Sequence, residues 1–136
     1  MAKTKILIPL DGTDRSMHSL DLLKKMFKRD EVEVTVMNIS EIVIVNDMVI
    51  TDKVDRARET GEIVLDRAEK ELQGYTVNKF FDFGYAGDEI LKKASQDNFD
   101  IIIMTKSTKK GLARRVGSVT SKVVKNSPKI VIIVPE

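Results

Sequence analysis

Gly117, Ser118 and Thr120 are the residues of this chain best suited to chemistry, and that chemistry is the binding of an anion. With Val119 they open an apolar pattern of helical spacing, Val116, Val119 and Val123. A helix start leaves backbone N–H groups without internal partners, and small hydroxyl residues there can cap the helix or touch a phosphate. Upstream, Ile101 to Met104 is an apolar run too short for a helix and suited to a buried strand. From Thr105 to Arg115 the chain turns polar and basic. Lys106, Lys109, Lys110, Arg114 and Arg115 crowd this stretch, with no acidic residue among them. Such a run is either a solvated face or, beside an anion site, a source of attraction. Strand, polar loop and helix start in that order are how an α/β protein builds a phosphate site.

Asp11-Gly12-Thr13-Asp14 is the second candidate. Asp11 either contacts a ligand or closes a tight turn with Gly12, and Thr13 or Asp14 can cap the next helix. His18, the one histidine, sits in a helical pattern with no Cys or Ser–Asp partner in view. No nucleophile elbow, metal-ligand spacing or P-loop occurs. The expectation is a protein that is not an enzyme.

The 136 residues make one domain, 1–136, long enough for a proper core. Hydrophobic residues are 42% and charged residues 32%, which argues against disorder. A net charge of +2 does not by itself point to nucleic acid. There is no cysteine, so disulfides and thiol chemistry are excluded and a reducing cytosol is the simplest compartment. The opening MAKTKILIPLD lacks the apolar core of a signal peptide, and no run approaches membrane-spanning length. The expected location is cytoplasmic.

The elements that must position these residues alternate. Ile6 to Leu10 reads as a strand, and Met17, Leu20, Leu23 and Phe27 as a helix with basic residues in its last turns. Val32 to Ser40 is a second strand. Residues 42–50, IVIVNDMVI, form an extra strand, a hairpin turning at Asn46-Asp47, or an apolar patch that meets a partner. A helix from about Thr51 to Leu72 carries the stripe Val54, Ala57, Gly61, Val64, Ala68 and Leu72, and Gly74 ends it. Val77 to Phe83 is a third strand. After a turn over Gly84 to Gly87, Asp88 is the expected cap of a helix through Ile90, Leu91 and Ala94. Ile130 to Val134 is the last strand, between Pro128 and Pro135. The methionines are expected as core filler.

Strands alternating with helices predict an α/β fold: a single doubly wound domain with a five-stranded, mainly parallel sheet and helices on both faces. Right-handed crossovers favour the order 3-2-1-4-5. Ligands then sit beyond the carboxyl ends of strands one and four, where the order reverses. Those ends are Leu10-Asp11-Gly12 and Met104-Thr105.

ILIPLDGTDRS, GDEILKKASQDNFDIIIMTKS and GSVTSKVVKNSPKIVIIVP, in that order and spacing, resemble the three blocks of the universal stress protein family. The resemblance covers nearly the whole chain and is weakest from Glu41 to Thr76. It implies a doubly wound stress-response or signalling protein, usually a homodimer joined through the last strand, here Ile130, Val131, Ile132, Ile133 and Val134. Some members bind ATP at the switch point and others do not, so ATP with magnesium is the candidate cofactor, with its hydrolysis at most slow. In the ATP-binding members, an Asp ends strand one, matched by Asp11 beside Gly12 and Thr13. A hydrophobic residue stands late in strand two, matched by Met37 or Ile39. Gly-x-x-Gly follows strand four, and then Gly-Ser or Gly-Thr, matched by Gly117 and Ser118, with a further hydroxyl at Thr120. The first two glycines are replaced. Counted from the strand their positions are Thr105 and Thr108; counted back from Gly117 they are Met104 and Ser107. Glycine lets backbone approach phosphate closely, so ATP is expected to bind more weakly than in glycine-bearing members. Two other readings stay open: a protein-interaction module of the same fold that binds no nucleotide, and a weak, non-specific binder of nucleic acid through residues 106–115.

Overall fold

A computed structural model describes residues 2–41, 44–49, 51–106 and 117–135. The chain runs β1 (Thr4–Pro9), a 3-10 turn (Arg15–Met17), α1 (His18–Met26), β2 (Val32–Ser40), β3 (Ile44–Val45), β4 (Met48–Val49), α2 (Thr51–Glu71) and β5 (Thr76–Phe83). It continues through α3 (Ala86–Gln96), β6 (Ile101–Thr105), α4 (Ser118–Asn126) and β7 (Ile130–Val134). The main sheet has five strands in the order β5-β2-β1-β6-β7, all parallel. Counting only its own strands, this is the expected 3-2-1-4-5.

The reason lies in β1. A strand points successive side chains to opposite faces, and a parallel strand is covered on both. Ile6 and Ile8 pack with Leu20 and Leu23 of α1, Leu65 and Ala68 of α2 and Leu72 just after it. Leu7 packs the other way, with Ile90 and Ala94 of α3 and Val123 of α4. All three β1 residues are fully buried. The continuous apolar run is therefore required, because neither face of the strand meets water.

The segment after β2 resolves as the hairpin. Ile44 pairs with Val49 and Val45 with Met48, antiparallel. Asn46 and Asp47 take φ of 52° and 62°, the left-handed pair that a tight two-residue hairpin turn needs. Ile42, Val43 and Ile50 lie outside the described residues.

Two local expectations are corrected, those for Asp88 and for the methionines, and the choice between Thr13 and Asp14 falls to Thr13. Asp88 does not cap α3: the cap position is Tyr85, and Asp88 sits in the first turn. There its carboxylate suits the helix dipole and pairs with Lys122 of α4. Asp14 makes no side-chain cap before α1, and the Thr13 hydroxyl accepts from Ser16 N–H at 3.2 Å instead. Nor are the methionines uniformly core: Met17, Met37 and Met104 are buried, whereas Met26 and Met48 are exposed.

Candidate functional site

β1 leaves the sheet just before Asp11. Its pairing with β2 runs to Pro9–Met37, and Leu10 N–H still donates to the Met37 carbonyl at 2.7 Å. Gly12 then takes φ +90°, a conformation that side chains oppose. One carboxylate oxygen of Asp11 accepts from both Thr13 N–H at 2.9 Å and Thr13 Oγ1 at 2.6 Å. The Ser16 hydroxyl donates to the Thr13 carbonyl at 2.8 Å. Asp11 is thus held in a closed turn and remains exposed. A carboxylate so placed accepts from hydroxyl or amino groups and repels phosphate.

The other bank begins at the end of β6. The Thr105 carbonyl accepts from Thr120 Oγ1 at 3.0 Å, and both residues are buried. Lys106 N–H extends the ladder to Val134, 2.9 Å, and the Lys106 carbonyl accepts from Gly117 N–H at 3.1 Å. Lys106 and Gly117 are thereby joined backbone to backbone. Gly117 caps α4 with φ −66° and ψ 161°, values open to any residue, and as a glycine it makes no side-chain cap bond. Its first turn holds no acidic residue. Ser118 and Val119 are exposed there. The first N–H groups of α4 are the backbone donors expected of an anion site.

The two banks meet by topology. β1 and β6 are neighbours, with Ile6 opposite Ile101 and Leu7 opposite Ile102, and the strand order reverses between them. Asp11, Gly12 and Thr13 follow one carboxyl end; Thr105 and Lys106 form the other, with Gly117 and Ser118 tied to it. Ile39 lies half-buried late in β2, against the Met37 side of the core, while Met37 itself is fully buried. Thr108, Lys109, Lys110, Arg114 and Arg115 lie outside the described residues.

Sequence reasoning missed Asn38. It is only 8% exposed, and its Nδ2 donates to the Leu10 carbonyl at 2.8 Å. The available signal was a single amide in an otherwise apolar strand end. His18 is exposed and lines a shallow groove of about 240 Å³ with Asp14, Met17, Asp21, Arg67 and Glu71, spanned by the Arg67–Asp14 ion pair at 3.0 Å. Among the described residues no group of three or more His, Cys, Asp or Glu could hold a metal ion. No helix there is long and apolar enough to cross a membrane. At the β7 edge Ile130 is 62% exposed, Val131, Ile132 and Ile133 are half-buried and Val134 is buried.

A doubly wound parallel sheet whose strand order reverses between β1 and β6 defines a class of folds that place ligands at that reversal. The model of the universal stress protein family matches residues 3–135, and the chain belongs to that family. No curated protein matches it. Among solved structures, it is similar to the hypothetical protein MJ0577, with 25% identity, a TM-score of 0.83 and coverage of 98% of this chain and 96% of that one. It is similar to UspA from Lactobacillus plantarum, with 20% identity, a TM-score of 0.84 and coverage of 98% and 99%. A third is the universal stress protein from Archaeoglobus fulgidus in complex with dAMP, with 19% identity, a TM-score of 0.68 and 98% of both chains covered. Other similar structures hold cAMP, or AMP in the Arabidopsis thaliana protein.

Proposed function

We propose that this protein is a stress-response or signalling protein that binds an adenine nucleotide in the crevice between β1 and β6, without turning it over. The observation that carries the reading is the start of α4 at Gly117-Ser118, whose cap residue is a glycine with no side chain, tied by backbone to Lys106 and set at the same end of the sheet as the Asp11 turn. The two banks suit the two ends of one ligand. The helix start and Lys106 attract phosphate, while Asp11 takes hydroxyl or amino donors of the sugar or base. Relatives solved with dAMP, cAMP and AMP support the ligand class. Magnesium would arrive with a triphosphate, since the described residues build no cage for it.

Calorimetric titration with ATP and magnesium at two salt concentrations tests this. Measurable binding that weakens with salt is expected, because exposed cations are screened. Protein purified without nucleotide that binds none of ATP, AMP or cAMP and releases none on denaturation would end the reading. A closed, interaction-only module would then stand, and one observation favours it: Thr105 fills a glycine position with a buried side chain. Nucleic-acid binding through residues 106–115 is tested separately. Neutralising Lys109, Lys110, Arg114 and Arg115 should flatten its salt dependence.

The protein is also proposed to be a cytoplasmic homodimer joined through β7. This edge strand pairs with β6 alone and is apolar throughout, a pairing template unless covered. Val131 and Ile133 pack on the core, so Lys at either would damage the monomer as well. Ile130→Lys is the cleaner variant. It should convert dimer to monomer by light scattering, and a wild type monomeric at micromolar concentration would refute the dimer.

A further inference from the structure

We propose that Asn38 is a positioning residue of the crevice, holding the Asp11–Thr13 turn in place through the Leu10 carbonyl; this rests on the nucleotide-binding reading above. A chain that leaves a sheet must find new partners for its backbone groups, because a buried unpaired carbonyl is costly. Leu10 stands where β1 departs. Its N–H stays on the ladder, bonded to Met37, and its carbonyl is taken by the Asn38 side chain at 2.8 Å. That bond lets the main chain bend away at once into the Asp11 carboxylate turn and the φ +90° of Gly12.

The amide is itself held from behind. Gly61 of α2 has no side chain, and a Cβ there would lie 2.7 Å from Asn38 Oδ1 and 2.3 Å from the Phe81 ring. Neither distance is tolerable, so the glycine is the space in which both groups sit. Phe81 is fixed in turn, edge-on to Phe83 at 5.1 Å, with the Arg58 guanidinium 5.3 Å from its ring centre. The next turn of the same helix touches the site directly: a Cβ on Gly12 would lie 3.3 Å from Val64 Cγ2. Gly61 and Val64, three residues apart, share one face of α2. The helix thus backs the turn at two points, once against Gly12 and once through Asn38. Solvent does not explain a polar residue at position 38, which is 8% exposed. An apolar residue there would strand the Leu10 carbonyl.

The test compares Asn38→Ala with Leu72→Ala, a core truncation just beyond the far end of α2. Both should lower global stability, read from core amides such as Val34 and Ile102. Only Asn38→Ala should speed hydrogen exchange at Thr13 N–H beyond the change in global unfolding, and it should weaken ATP–magnesium binding by roughly tenfold, the scale of one buried hydrogen bond. Gly61→Ala, which touches no ligand-facing residue, should do the same by displacing the amide. Thr13 exchange and affinity that stay at wild-type values in Asn38→Ala, or that fall equally in Leu72→Ala, would overturn the proposal. If the wild type binds no ATP, the nucleotide reading fails and Thr13 exchange alone decides the role of Asn38.

Discussion

Around Asp11 the backbone is gripped by side chains from two elements and from its own turn, whereas around Gly117 it is tied at its base by main-chain bonds and its cap residue has no side chain. The first bank has its carbonyl held by Asn38 of β2, its glycine set against Val64 of α2 and its carboxylate folded onto Thr13. The second has a Lys106–Gly117 backbone bond and an inward Thr120–Thr105 bond, and the helix start itself has no side-chain cap. The contrast follows from what each bank must offer. A carboxylate acts through its position, so the fold spends side chains on fixing it. A helix start acts through N–H groups whose direction the helix already sets, so a capping side chain would only compete with the ligand.

The two glycines break the comparison most sharply. Gly12 sits at φ +90° against Val64, while Gly117 sits at φ −66°. Gly12→Val should cost about 2 to 3 kcal/mol of stability, from a β-branched residue in a disfavoured conformation and a tight contact. Gly117→Val should cost only about 1 kcal/mol in urea unfolding, the loss of a tolerated cap residue, yet abolish ATP binding, because on the proposed reading the added bulk stands where phosphate approaches backbone. Equal stability losses for the two variants would show that the second bank is as constrained as the first.

Thr120 asks whether the second bank serves the fold or the ligand. Its hydroxyl proton is committed to the Thr105 carbonyl, and the residue is 4% exposed. Thr120→Val keeps the shape and removes that donor. The expected loss is about 1 kcal/mol of stability, from a buried carbonyl left unpaired, with ATP affinity within twofold of wild type. A large loss of affinity at unchanged stability would put this hydroxyl on the ligand, as the family resemblance implies.

The fold was legible because a strand buried on both faces has to be a continuous apolar run, and Ile6–Leu10, Ile101–Met104 and Ile130–Val134 could be little else. Their order then placed Asp11 and Thr105 at one reversal without any knowledge of side-chain geometry. What stayed hidden depends on neighbours brought together by folding. Gly61 reads as one more small residue in a helical stripe, and its purpose shows only once Phe81, twenty residues on, lies beneath it. Asn38 reads as a polar break near a strand end until Leu10 turns away beside it. Asp88 looked like a cap because caps are local, but its partner Lys122 comes from another helix.

Ser118 carries the smallest effect and separates the banks most cleanly. It is exposed and follows the Gly117 cap, and among the described residues no bond depends on its hydroxyl. Ser118→Ala should therefore leave stability within about 0.5 kcal/mol, as for surface changes away from special features. Alanine also suits a helix slightly better than serine, so a small gain in stability is as acceptable as none. A phosphate over the start of α4 would lose one neutral hydrogen bond while keeping the backbone donors and Lys106. That is a fall of about three- to fivefold in ATP affinity at low salt, since a typical net bond is near 1 kcal/mol. The corresponding change on the other bank, Thr13→Ala, removes a hydroxyl that already serves Asp11 and Ser16, so it should lower stability and affinity together. The pair is read by urea unfolding and calorimetry on the same samples. If Ser118→Ala leaves ATP affinity at the wild-type value, the phosphate does not lie over the start of α4, and the second bank has lost its role in the site.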